Sequence, residues 1–526
     1  MKKIIIFLLS LTLLASCGRR NEGSFSSEPG ISQPLTVVLP PACEPTAGFD
    51  PAFGWGAGEH VHEPLIQSTL TVTNPDLTIG YDLATGMETS QDGLTWTVKI
   101  RDDVTFTDGE ALTASDVAFT YNMVKQTSSV NDFTMLDRAE AVDDTTVVFH
   151  MKTPFSIWPY TMAVTGIVPE HAYDPASYGS SPIGSGRYVL KQWDRGEQVI
   201  LEYNPDYYGM QPRMEKVTIL FMEEDAAFLA VQAGEVDLAY TSALYADQKP
   251  EVLSLNGQEP VTYSLLAVRT VDNRGINLPV TMSSPTMESP VRQAINMGID
   301  RQRMIDHVLN GHGTPAYSVC DGLPWYNPVN EVEYDPEGAK ALLDEWGWPV
   351  GPDGIRVRGT SEMRLGLTIY YIVGDSVRQG LAAELANQLR ELGIEADIKG
   401  VGWDSAYNDA LFNPLVWGWG AHTPMELYNI YHTDPERGTA RYSPYSCETT
   451  DELLDAALAC PHLEQSYTLW QQAQEEIAED VPWVWLVNVD HLYWVRDGLH
   501  VAEQKIHPHG HGWSIVNNVD RWEWNS

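Results

Sequence analysis

The chain has 526 residues, 43% of them hydrophobic, more than one core accommodates, since single cores stop growing at roughly 250–300 residues. Acids outnumber bases, 72 Asp and Glu against 32 Lys and Arg, for a net charge of −40 at pH 7. A surface this acidic repels phosphate backbones, which excludes nucleic acid as a partner, and acids spread without long blocks read as solvated surface.

At the N-terminus, Lys2 and Lys3 precede an apolar run over residues 4–14, then Ala15, Ser16 and Cys17. The run is too short to span a bilayer, and small residues before a cut site mark an export signal over residues 1–16. Leu14-Ala15-Ser16-Cys17 looks like a bacterial lipobox, with Cys17 lipidated as the new N-terminus and anchoring the protein by its acyl chains. Residues 17–34, rich in Gly, Ser and Pro, form a tether. With Cys17 assigned to lipid, four cysteines remain in an oxidising compartment, and two disulfides are expected. Cys447–Cys460 would close a local loop and Cys43–Cys320 would staple distant segments, although the sequence allows three pairings and free thiols as well. No Cys-x-x-Cys is present to suggest zinc.

Between residues 76 and 186, short β-rich runs (95–100 and 145–150) alternate with a helix over 114–125, predicting an inserted α+β subdomain. Asp335-Pro336 caps a helix carrying Ala339, Leu342, Leu343 and Trp346 on its inner face. Residues 365–373 predict a strand. A helix over 376–392 follows, with Leu381, Leu385, Leu389 and Leu392 on one face; Gly393 stops it, and Ile394, Ala396 and Ile398 alternate as the next strand. That is a βαβ unit, and the fold class is α/β.

The stretch 92–117, opening Asp92-Gly93-Leu94-Thr95-Trp96-Thr97 and including Phe106-Thr107-Asp108-Gly109-Glu110, resembles the signature of the peptide/nickel class of extracytoplasmic solute-binding proteins of ABC importers. Further landmarks follow in that family's order: Pro182-Ile183-Gly184-Ser185-Gly186, Asn204-Pro205-Asp206-Tyr207-Tyr208, Gly234-Glu235-Val236-Asp237 and Val291-Arg292-Gln293-Ala294. The resemblance implies a two-lobed periplasmic-binding-protein fold that closes on its ligand. The first lobe is expected over 35–267, with the subdomain at 76–186, the second over 268–489, and residues 490–526 return to the first. It further implies a monomer outside the cytoplasmic membrane, lipid-anchored, with ABC permease and ATPase partners and no required cofactor.

For the ligand, two readings stay open. Peptide-binding relatives are expected to carry an acid in the loop matching residues 417–427, where it pairs with the peptide's amino terminus. Here Trp417, Trp419, His422 and Glu426 are the candidates, and that loop holds no Asp. Nickel-binding relatives resemble this chain in using histidines from the first lobe and from a late loop, which points to His60 and His62 together with His507, His509 and His511. Alternate residues of an extended segment present their rings on one face, and imidazole suits Ni²⁺, so nickel or another divalent metal, as transported ligand, is the second reading. Only neutral imidazole coordinates, so metal uptake is expected to weaken near pH 5. A secreted metal-dependent hydrolase using the same histidines is the alternative from another class. Neither His-Glu-x-x-His nor Gly-x-Ser-x-Gly occurs, and the expectation is that the chain is not an enzyme.

Overall fold

A computed structural model describes residues 34–56, 62–127, 133–248, 250, 261–282, 284–358, 363–409, 411–433, 445–510 and 512–525. Its first lobe is organised by a seven-stranded sheet in the order Tyr263–Val268, His491–Arg496, Leu238–Thr241, Leu35–Leu39, Lys216–Phe221, Gln198–Tyr203, Tyr188–Asp194. Leu35–Leu39 is almost continuously apolar because it lies at the centre, parallel to both neighbours and covered on both faces. Asp237 ties this sheet together, accepting from Thr36 N (2.8 Å) and from Arg496 Nη1 (2.9 Å).

Between the early and middle strands sits a second, antiparallel sheet, in the order Ala84–Thr89, Thr95–Ile100, Thr146–Met151, Leu136–Asp143. Helix Ala114–Thr127 packs on it through Tyr121, whose ring lies 4.7 Å from Phe149 and 5.5 Å from Trp158. Asp116 reaches back to Thr113 N (2.9 Å) and so caps the start of the helix predicted over 114–125.

The second lobe has an antiparallel four-stranded sheet, in the order Gly313–Pro315, Trp483–Val489, Asn273–Asn277, Val416–Trp419. Beside it lies the βαβ unit: Gly366–Ile372 and Glu395–Val401 pair in parallel, and helix Ser376–Glu391 buries Leu381, Leu385 and Leu389 completely. Asp375 caps that helix by accepting from Arg378 N at 2.8 Å. Trp346 departs from its expected inward position. Helix Pro336–Glu345 ends before it, and Gly347, at φ 82°, turns the chain so that Trp348 fills the core while Trp346 stays 48% exposed.

Residues 269–272 and 489–490 connect the lobes, and the late segment 505–509 runs beside the first of them, with Val271 N donating to His507 O (2.8 Å) and His507 N to Arg269 O (2.9 Å). The lobes also touch away from the hinge. Ser156 donates to Ala457 O (2.8 Å), and the Tyr160 and Tyr467 hydroxyls meet at 2.8 Å.

The expected disulfides are not formed: Cys43, Cys320, Cys447 and Cys460 are all thiols. Cys447 and Cys460 cap opposite ends of helix Glu448–Ala459, about 20 Å apart at 1.5 Å per residue and far beyond the reach of a disulfide. Cys43 packs with the seven-stranded sheet, whereas Cys320 belongs to the separate apolar cluster around Trp325 and Trp485. Burial pushes the Cys43 thiol up to about 12, so it is chemically quiet at neutral pH.

Candidate functional site

Strand Val416–Trp419 forms the edge of the second lobe's sheet and pairs with the strand that follows the first crossing, Asn273 opposite Trp419 and Arg274 opposite Gly418. Alternation along the strand puts Trp417 and Trp419 on one face, stacked at 6.1 Å and 28°. Trp417 is buried and donates its indole N–H to Asn277 Oδ1 (3.1 Å), so it is the base of an aromatic wall rather than its front. The front is Trp403 and Tyr407, 44% and 46% exposed, stacked at 5.8 Å and packed on Trp417 at 6.3 and 5.9 Å. Sequence reasoning missed these two. Their i, i+4 spacing on helix Trp403–Asp409 was the available signal.

Gly418 points the other way, towards three cationic or ionisable groups. A Cβ there would lie 2.7 Å from His509 Cε1, 2.8 Å from Arg274 Nη1 and 2.8 Å from Arg378 Nη2. Burial and then the charge of Arg274 lower the Arg378 pKa, with Asp375 and Asp272 opposing. Arg378 Nε is buried without an acceptor, and its guanidinium lies 5.7 Å from the Trp403 ring centre. The site therefore brings two like charges together beside an aromatic wall.

Asp272, on the first crossing, holds these groups in place. One carboxylate oxygen pairs with Arg274 and with His509 Nδ1, and the other faces His491 Nε2 at 3.3 Å. His491 Nδ1 meets His507 Nδ1 at 3.2 Å, and His507 Nε2 meets Gln504 Oε1 at 3.2 Å. His507 and His509 thus share one hydrogen-bonded chain through Asp272, which engages both ring nitrogens of His507 and Nδ1 of His509. His62 does meet the late segment: a Cβ on Gly512 would be 2.7 Å from its Cε1. His60, His511 and Cys17 lie outside the described residues, and among the described residues no three His, Cys, Asp or Glu side chains are arranged to hold a metal.

The loop after the strand is held by Glu426, which accepts from Gly420 N (3.1 Å) and Ala421 N (2.6 Å). Burial lifts its carboxyl to about 7 against those two amides. Both of its oxygens are hydrogen-bonded within the loop itself. His422, in the same loop, bonds the Ile506 backbone, and burial with the nearby Lys505 charge lowers it to about 4, so it stays neutral. Its Nε2 is buried with no hydrogen-bond partner. A cavity of about 310 Å³ in the first lobe, lined by Asp82, Arg187 and Asp520 among others, stands apart from this wall. Arg187 and Asp520 already pair there at 2.7 Å.

Residues 78–439 match the family model described as bacterial extracellular solute-binding proteins, family 5 Middle. The chain belongs to that family. It is similar to Protein XP55 of Streptomyces lividans, 30% identical over 88% of this chain and 85% of the relative. It is also similar to oligopeptide-binding protein AppA of Bacillus subtilis, 26% identical over 98% and 97% of the two chains. The structure of NikZ from Campylobacter jejuni in complex with Ni(L-His) superposes with a TM-score of 0.73 at 21% identity, covering 93% of this chain and 99% of that one. The family 5 fold places the aromatic wall and the Arg274–Arg378 pair in a solute-binding protein, and nothing in the site supports the hydrolase alternative. Among the described residues no helix is long and apolar enough to cross a membrane.

Proposed function

We propose that this family 5 protein captures a carboxylate-bearing small solute, a short peptide in the first instance, between its lobes and delivers it to an ABC permease, anchored outside the cytoplasmic membrane by lipid on Cys17. The observation that carries the reading is the pair of guanidinium groups, Arg274 and Arg378, directed at the same point over Gly418. Facing like charges in a buried site repel, and an anion between them relieves the repulsion while gaining charge-assisted hydrogen bonds. A peptide C-terminus fits that demand, with an apolar side chain laid on Trp403 and Tyr407. The relatives agree in chemistry, since both an oligopeptide, the ligand in AppA's name, and the L-His of the NikZ complex carry a carboxylate.

The test is calorimetric titration of the mature protein with a mixed library of short peptides, as free acids and as C-terminal amides. Arg378→Met is expected to weaken free-acid binding by about ten- to a hundredfold, the worth of a hydrogen bond to a charged group. Amidated peptides should bind weakly to both proteins. Equal affinity for acid and amide would sink the proposal.

His422 supports a second reading, a metal chelate as solute. A chelated ion brings most of its own ligands and needs one open position filled, so a single neutral imidazole with an uncommitted Nε2 suffices. Because His422 is held at about 4, uptake through it is expected to persist at pH 5 and fail only towards pH 4, lower than the sequence alone suggested. Titrating Ni²⁺ with free L-histidine across that range, on the wild type and on His422→Ala, checks this. Loss of binding already at pH 6, or full binding by the variant, removes His422 from the site.

A further inference from the structure

On the Trp419 side of the same sheet, Asn273 stands directly opposite Asn488. Both are buried, at 0% and 3% exposure. Their amide nitrogens are used: Asn273 Nδ2 donates to the carbonyls of Val271 (3.0 Å) and Val319 (3.2 Å), and Asn488 Nδ2 to Asp321 Oδ2 (3.0 Å) and Pro315 O (3.3 Å). These partners fix which way each amide points, so the oxygens are the atoms left over. Asn273 Oδ1, Asn488 Oδ1 and Asp321 Oδ1 are all buried without a hydrogen-bond partner. The contacts of Asn488 with Asp321, and of Asn273 with the Val319 carbonyl two residues before it, gather the three oxygens in one neighbourhood.

Arg301 is the positive charge that acts on this neighbourhood, lowering the Asp321 pKa against the rise that burial causes, but it makes no ion pair there. Among the described residues Asp321 has no ion-pair partner; its other contacts are the backbone amides of Tyr317 (2.9 Å) and Ser318. The nearby Arg301 spends its guanidinium on the Ala316 and Trp485 carbonyls and on Asn296. Three acceptors without donors, one of them a buried carboxyl, form an arrangement that is costly unless something cationic or donating completes it.

We propose that Asn273, Asn488 and Asp321 form a binding site for a monovalent cationic group at the base of the second lobe. One carboxylate and two neutral amide oxygens carry a single negative charge, which matches a single positive one, and an oxygen-only set suits a hard cation over Ni²⁺ or Zn²⁺. The shared chemistry has two sources: a sodium ion from the medium, or the protonated amine of the captured solute. The site is independent of the carboxylate reading, because Arg274 projects from the opposite face of the strand that carries Asn273.

The test uses the full mature protein, desalted into choline chloride, with its thermal midpoint followed as choline is exchanged at constant ionic strength for sodium or, in a second arm, for methylammonium. A saturable rise with sodium that Asp321→Asn loses assigns the inorganic ion. The same pattern with methylammonium alone assigns the solute's amine. Burial lifts the Asp321 carboxyl to about 7, so wild-type affinity should be about tenfold weaker at pH 6 than at pH 8. That profile serves even if the variant fails to fold. If neither cation outperforms choline, or the affinity is flat across that pH range, a bound water completes the site and the proposal is overturned.

Discussion

Asp272→Asn is expected to cost about 3–5 kcal/mol of folding stability, the range for breaking one partner out of a buried ion pair. Burial by itself would raise the Asp272 pKa; Arg274, then His509, then the hydrogen bonds from His491 and His509 outweigh it and hold the carboxyl well below its ordinary value. Asparagine keeps the shape and removes the charge, leaving Arg274 buried without its counterion. The damage reaches both lobes, because Asp272 joins the first crossing to His491, at the start of the strand after the second crossing, and to His509 of the late segment. The pH dependence follows from the direction of the shift. A depressed acid contributes stability above its unfolded value, about 3.9, and loses it as pH falls through the folded one. The gap between wild type and Asp272→Asn should therefore persist from about pH 8 to 5 and close only below about pH 4. Urea unfolding followed by tryptophan fluorescence measures it. Adding Arg274→Met to Asp272→Asn should recover part of the loss, since removing both partners leaves no stranded charge. A variant within about 1 kcal/mol of wild type would show that the hinge does not depend on this charge.

The α/β class, the βαβ unit and the capped helix at Asp335-Pro336 were legible because each rests on local chemistry: a 3.6-residue apolar period, a two-residue alternation, a side chain that bonds an amide three residues away. Gly184, within one of the family landmarks, stands at a backbone approach so close that a Cβ would sit 2.0 Å from Ile66 O. Asp272 was not legible. Arg274 is two residues away, but its other partners, His491 and His509, lie more than 200 positions away in sequence, and an acid near a base is common in a chain this acidic. The same distance explains the histidines. Alternation grouped His507 and His509, but the hydrogen-bonded chain that joins them runs through His491 and Asp272, which no spacing rule connects to residue 507. Glu426 was found by its place in the loop, but its bonds to the amides of Gly420 and Ala421, six and five residues before it, were not. The cysteine arithmetic failed for a related reason: counting thiols says nothing of a helix standing between two of them.

Gly420→Ala is expected to destabilise the protein by about 2–5 kcal/mol and to weaken solute binding at least tenfold, although alanine is the smallest possible side chain. Gly420 has φ 144°, a region L-residues rarely enter, and a Cβ there would fall 2.2 Å from Val271 O and 2.7 Å from Val271 C. Both atoms belong to the backbone of the first crossing and cannot rotate away, so strain and collision add. The peptide around Gly420 is also fully engaged, its carbonyl accepting from His509 N at 2.7 Å and its N–H bonded to Glu426. Moving it to admit a methyl group pulls on the late segment and on the loop together. The shift then reaches Trp419 and Gly418, one and two residues back, where the aromatic wall begins and Arg274 and Arg378 converge. Hydrogen exchange read by mass spectrometry provides the local check: protection of the His509 and Ala421 amides should fall in the variant while the seven-stranded sheet of the first lobe keeps its own. Unchanged protection at both amides together with wild-type affinity would mean that the loop tolerates displacement from the crossing. Loss of protection with binding retained would place the solute's contacts on Trp403 and Tyr407 alone.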